Sequence, residues 1–148
     1  MERRLVYPRT LCFIQHGNDI LMLQGAPTKR LYANLFNGIG GHVEAGEDVL
    51  SSLRREVREE TGLEIENPYL RAVLNVDEAG KPGVVIFVFL ATATSRRVQS
   101  SEEGQLYWIP RERLYDFDLV KDLHQLLPRI LDASAPGIWY GYYAYMTD

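Results

Sequence analysis

The chain of 148 residues is long enough for one domain and short for two, and its 46% hydrophobic and 24% charged residues are those of an ordinary packed protein. That composition excludes a disordered chain, and a formal net charge of -4 with no polybasic block excludes a broad nucleic-acid or anionic-membrane surface. The single cysteine, Cys12, excludes an internal disulfide and fits a reducing cytoplasm; inside the apolar run Leu11-Cys12-Phe13-Ile14 its expected role is buried filler. No apolar stretch of signal type follows the charged N-terminus, and the longest apolar run, residues 84–91, is far short of a membrane span. A cytoplasmic protein that touches neither membrane nor nucleic acid is expected.

In chain order, residues 10–14 and 19–24 read as strands joined at His16-Gly17-Asn18, where Gly and Asn supply the turn. Residues 25–37 form a loop with Pro27, two basic residues and several aromatics, followed by the Gly-rich segment Gly38-Ile39-Gly40-Gly41. From Glu47 to Thr61 there is neither Gly nor Pro, and Gly62 stands just beyond, which predicts a helix with a glycine stop. Residues 70–76 and 84–92 predict two strands about a turn, the second apolar on both faces and therefore central. Residues 106–109 predict a short strand ended by Pro110, and residues 119–131 a helix that Pro128 kinks or ends. The aromatic tail, residues 138–146, predicts a last strand. Strands on both sides of a helix, with a second helix near the end, imply an α/β or α+β sandwich.

The first helix carries the chemistry. With Glu56 as origin, a turn of about 100° per residue puts Glu59 near about -60° and Glu60 near about +40°, so the three carboxylates share one sector. Val49, Leu50, Leu53 and Val57 form the expected buried stripe beside it, and Arg54 and Arg58 fall on the far side. Arg55 lies four residues before Glu59, a spacing that permits an ion pair. Two readings of the acidic sector stand open: a solvated helix face, or hard oxygen ligands for Mg²⁺ or Mn²⁺.

The flanking residues shift the balance toward the ligand reading. Gly41, Glu47, Arg55-Glu56-Val57, Glu59-Glu60, Gly62 and Leu63 match the complete Nudix box in all nine fixed or restricted positions over 23 residues. By this motif the chain resembles the Nudix hydrolases, with a MutT-like character. The resemblance implies an α/β/α sandwich with a mixed β-sheet between helices, spanning residues 1–148 as one domain. It implies that Glu56, Glu59 and Glu60 bind divalent metal, that the Gly40 carbonyl adds a ligand, and that Arg55 orients a glutamate. Glu47 would hold the loop onto the helix, with Gly41 and Gly62 as structural glycines. In the loop before residues 106–109, Glu103 is the better match to the acidic residue that faces the metals in relatives, with Glu102 in reserve. The catalytic set implied is Glu56, Glu59, Arg55 and Glu103, with the general base left open among the glutamates.

Asn37-Gly38-Ile39-Gly40-Gly41 resembles the subgroup that hydrolyses oxidised purine nucleoside triphosphates, such as 8-oxo-dGTP to the monophosphate and pyrophosphate. That implies substrate contacts from Asn37, Gly41, Val120 and Asp122. An amide can pair with a purine edge, yet Asn before Gly also favours a turn, and both roles for Asn37 remain open. Val120 departs from the pattern, because relatives often carry a stacking Trp there; Tyr32, Phe36 and Phe117 could supply a ring instead. Hydrolysis of ADP-ribose, a dinucleotide polyphosphate or a nucleotide sugar is the alternative, as is a non-catalytic nucleotide-sensing module. The expected partner is a small-molecule nucleotide, bound by a monomer or homodimer.

Overall fold

The computed structural model describes residues 3–132, 134–135 and 137–145. Its frame is one mixed sheet of eight strands. They are β1 (Val6–His16), β2 (Asp19–Gly25), β3 (Phe36–Asn37), β4 (Ile39–His42), β5 (Ile65–Glu78), β6 (Gly83–Ala93), β7 (Gly104–Pro110) and β8 (Trp139–Tyr145). Two helices, α1 (Val49–Thr61) and α2 (Leu123–Leu131), and a 3-10 helix over Arg111–Asp116 complete it. The main path runs β3-β2-β1-β6-β5-β8, while β4 pairs with β1 and β7 with β2. As its apolar sequence predicts, β6 is central, parallel to β1 and antiparallel to β5.

Period-2 alternation divides the interior into two cores, one on each face of the sheet. Cys12, Ile14, Leu21 and Leu23 pack with Leu53 and Val57 of α1. Phe13, Ile20 and Met22 point the other way and pack with Leu126, Leu127 and Ile130 of α2. Cys12 is fully buried, as expected of filler, and burial pushes its thiol well above the ordinary range. The mixed sheet between helices is therefore the architecture that the box implied. No helix among the described residues is long and apolar enough to cross a membrane.

The strand that places the site is β4. One edge of β1 is shared: its end, from Ile14 to His16, pairs with β2, and its middle, from Arg9 to Cys12, pairs with β4. The end of the predicted loop, Phe36–Asn37, is β3, and the Gly-rich segment, to which the sequence assigned no strand, is largely β4. Its glycines answer to neighbours, since a Cβ at Gly38 would overlap the Phe13 ring and one at Gly40 the Thr10 carbonyl.

Several boundaries differ from expectation. The helix predicted over 47–61 begins at Val49, because Asp48 is its cap: Oδ1 accepts from the Ser51 N–H at 2.9 Å and Oδ2 from the Ser51 hydroxyl at 2.8 Å. It ends as predicted, with Gly62 at φ 81° donating its N–H to the Arg58 carbonyl. Leu50, expected in the buried stripe, is 43% exposed, and Ser52 and Thr61 take buried places with Leu53 and Val57. The second helix starts four residues later than predicted, at Leu123. Leu119 and Val120 run alongside Phe36 instead, with the Val120 N–H donating to the Phe36 carbonyl at 2.9 Å, and Asp122 turns the chain at φ 76°. Pro128 does not end α2; the buried face of Leu123, Leu126, Leu127, Ile130 and Leu131 carries the helix past it. Of the predicted tail strand, Met146 lies outside the described residues.

Candidate functional site

Capping by Asp48 fixes the phase of α1, and that phase turns its acidic face toward β4 and the loop before β7. Arg55 organises this face. Its Nε donates to Glu47 Oε2 at 2.6 Å and its Nη2 to Glu47 Oε1 at 2.9 Å, a forked pair. The same guanidinium reaches the His42 carbonyl at 3.2 Å, Glu56 Oε1 at 3.0 Å and Glu59 Oε2 at 3.3 Å. Glu47 also accepts the Glu44 N–H at 3.0 Å, so it ties the turn before the helix to the helix itself. Hydrogen bonds from Arg55, then from the Glu44 backbone, hold the Glu47 carboxyl down to about 2.

Glu56 and Glu60 are the half-buried carboxylates of the face. Burial pushes the Glu56 carboxyl up, partly countered by Arg55. Burial also raises Glu60, and the charges of Glu103 and Glu56 add to that rise against a hydrogen bond from Ser101. The Ser101 hydroxyl donates to Glu60 Oε2 at 3.0 Å. Glu59 is the outlying member, its side chain 60% exposed beside Arg55.

The loop before β7 comes over this face. Glu103, not Glu102, is the carboxylate whose charge Glu60 feels, and Lys29 pairs with Glu103 at 2.8 Å. The Ala26 N–H donates to the Glu103 carbonyl at 2.9 Å, which ties the loop of residues 25–35 to the same place. Gly41 lies opposite: a Cβ there would occupy the space of the Glu56 carboxylate. That glycine makes room for a side chain, and its φ is not positive.

Does this donor set suit a divalent cation? Among the described residues, no three His, Cys, Asp or Glu side chains converge tightly enough to form a finished ligand set. Glu56 and Glu59 accept from Arg55, and Glu60 accepts from Ser101. Their chemistry fits, however: ionisable oxygens on one face, two of them half-buried at a cost that a hard cation relieves. Gly40 sits on β4 opposite Leu11, one residue before the Gly41 that faces the Glu56 carboxylate.

The residues expected to meet a nucleotide are placed unevenly. Asn37 is half-buried, and its Oδ1 accepts the Gly38 N–H at 2.8 Å, which is the turn role. Val120 is 8% exposed, inside the core with Phe36, so its side chain is largely withdrawn from solvent. Asp122 accepts a hydrogen bond from the Tyr145 hydroxyl and so has a partner of its own. Phe36 and Phe117 pack edge to face at 5.0 Å beside them. Lys29 and Ser101 went unread in the sequence; Lys29 sits on a loop whose path only the fold reveals. Two open grooves, of about 580 and 520 Å³, lie beside residues 61–64 and 94–99 and between α2 and β8. Neither is lined by Glu56, Glu59 or Glu60, and charge is what locates the site.

Comparison with known proteins bears on what this arrangement is. A model of the NUDIX domain matches residues 7–130, from the start of β1 through most of α2. The uncharacterized Nudix hydrolase YvcI of Bacillus subtilis is 36% identical over 104 residues, covering 67% of this chain and 63% of its own. The 8-oxo-dGDP phosphatase of Homo sapiens is 34% identical over 119 residues, which is 77% of this chain and 35% of the human protein. The chain thus spans less than two thirds of either relative. The crystal structure of the MutT mutator protein from Bacillus halodurans superposes with a TM-score of 0.78 at 24% identity, over 97% of this chain and 92% of that one, and supports the fold. With the whole acidic helix, its Arg55–Glu47 clasp and all of the α1-side core inside the matched span, the chain belongs to the Nudix hydrolase family.

Proposed function

We propose that the chain is a divalent-metal-dependent hydrolase that cuts the diphosphate linkage of a nucleoside diphosphate derivative, with an oxidised purine nucleotide as substrate. The observation that carries this reading is the pair of half-buried carboxylates, Glu56 and Glu60, held on one helix face with Glu103 above them. A protein that only sensed a nucleotide would have no use for that costly arrangement. Mg²⁺ or Mn²⁺, held by Glu56, Glu59 and Glu60 with the Gly40 carbonyl and Glu103, would draw charge from the diphosphate and activate water.

The chain's own residues do the rest. Arg55 fixes the direction of Glu56 through the 3.0 Å contact and is itself fixed by Glu47, so the ligand face is set before substrate arrives. Water oxygen attacks phosphorus, its proton passes to a carboxylate of the cluster, and the bridging P–O bond breaks with its electrons leaving on the departing phosphate. Glu56, Glu59 and Glu103 are the candidates for that proton. Lys29, paired with Glu103, places a second cation beside the acidic face, from which it would meet phosphate oxygens.

The substrate reading rests on Asn37 and on kinship. The Asn37 amide nitrogen donates to nothing among the described residues, which leaves it for a purine edge while Oδ1 holds Gly38. The human relative's name, 8-oxo-dGDP phosphatase, favours an oxidised guanine and raises a second reading, in which the diphosphate is cut. A screen with Mg²⁺ over 8-oxo-dGTP, 8-oxo-dGDP, the unmodified nucleotides, ADP-ribose and dinucleotide polyphosphates tests both. Pyrophosphate from 8-oxo-dGTP supports the first reading and inorganic phosphate from 8-oxo-dGDP the second. Preference for ADP-ribose removes the oxidised-purine proposal, and no turnover on any of them removes the enzyme.

A further inference from the structure

Thr10 lies on the α1 side of the sheet, in phase with Cys12 and Ile14, and is 2% exposed. Among the described residues its Oγ1 is the one buried side-chain polar atom with no hydrogen-bond partner. Burying a hydroxyl without a partner is costly, so the surroundings should offer it an acceptor. They are mostly apolar. Thr10 is flanked across the sheet by Phe87 of β6 and Gly41 of β4, under a helix whose core residues are Leu53 and Val57. Ser52, the polar residue buried with them, already gives its hydroxyl to the His42 carbonyl at 3.4 Å.

Gly41 supplies the link. Residues directly opposite in an antiparallel pair point to the same face, with Cβ positions about 4.5–5.5 Å apart. The Cβ position of Gly41 is filled by the Glu56 carboxylate, so that carboxylate lies on the same face as Thr10 and beside it, with no direct hydrogen bond between the two. Glu56 Oε1 is taken by Arg55, and Oε2 accepts nothing among the described residues. We infer that Thr10 is a positioning residue for Glu56, its hydroxyl donating to Oε2 through one bound water. Arg55 and Thr10 then hold the carboxylate from two sides and fix its plane, which leaves its outward lone pairs for a cation. The inference rests on Glu56 as a metal ligand.

Thr10→Val removes the hydroxyl at nearly constant shape and keeps a strand-favouring side chain; Thr10→Ser keeps the hydroxyl. Mn²⁺ alone, titrated calorimetrically into each variant, should bind about tenfold more weakly to Thr10→Val and near normally to Thr10→Ser, the usual size of a loss behind a ligand. Thermal unfolding separates the competing explanation. A hydroxyl that is merely buried would make Thr10→Val more stable with unchanged Mn²⁺ affinity, and that result overturns the inference. If valine overpacks the site and unfolds the chain, Thr10→Ala repeats the Mn²⁺ measurement with the same two outcomes. Failure of the unaltered chain to bind Mn²⁺ overturns the metal reading and this inference together, whereas normal binding by Thr10→Val overturns this one alone.

Discussion

Gly41→Ala separates the site from the fold. The φ of Gly41 is not positive, so alanine fits its backbone, and the lower entropy of the unfolded chain should add about 0.4–1 kcal/mol of stability. The new methyl group, however, falls on the Glu56 carboxylate, which must retreat by about 1 Å to recover ordinary contact. That retreat disturbs the 3.0 Å contact with Arg55 and swings an expected ligand off its face. Misplacement on this scale costs about 10²-fold in rate, and Mn²⁺ should bind about tenfold or more weakly. Urea unfolding, Mn²⁺ calorimetry and a turnover assay on the substrate found by screening form the test. Unchanged metal affinity and turnover would refute the argument that this glycine makes room for Glu56. The neighbouring Gly40→Ala is the contrast: its methyl meets the Thr10 carbonyl, so strand pairing and stability should suffer first.

Glu56→Gln keeps the shape and removes the charge, so turnover should fall at least ~10²-fold with the fold intact; near-normal rates would mean that the chemistry lies elsewhere. The Glu47 carboxyl is held down to about 2 in the folded chain, below its unfolded value near 4.5, so its contribution is complete above about pH 4.5 and is lost as pH falls toward 2. Acid-unfolding curves of the unaltered chain and Glu47→Gln should therefore differ at neutral pH and converge near pH 2; parallel curves throughout would contradict the Arg55 clasp. Asn37→Ala should lower kcat/KM by the equivalent of ~1–3 kcal/mol on an oxidised guanine nucleotide and slightly on ADP-ribose. Equal losses on every substrate would assign Asn37 to its turn with Gly38.

The acidic helix was legible in sequence because its signals are local: a Gly stop at Gly62, a run without breakers, and carboxylates at helical spacing. Its start was misread by two residues, since a helix cap and a first-turn residue look alike until Asp48 is seen accepting from Ser51. The strand character of residues 39–42 was hidden for the opposite reason. Its glycines are chosen by distant groups, Thr10 in one case and Glu56 in another, which no window of sequence contains. Leu50 looked buried by periodicity, but the helix rolls so that Ser52 and Thr61 face inward. Lys29 and Ser101 joined the site only through loop paths. Thr10 did leave a trace: a hydroxyl in the same alternation as two buried apolar residues.

One guanidinium serves Glu47, Glu56, Glu59 and the His42 carbonyl at once. Groups that share a partner do not contribute independently, so losses at these positions do not sum. Whichever residue goes first takes most of the benefit with it, and a second substitution then costs little. The order of change therefore matters to a drifting sequence: single steps out of the intact cluster are steep, while steps among its damaged forms are nearly level. A cluster of this kind is retained entire or abandoned entire, with few serviceable intermediates between.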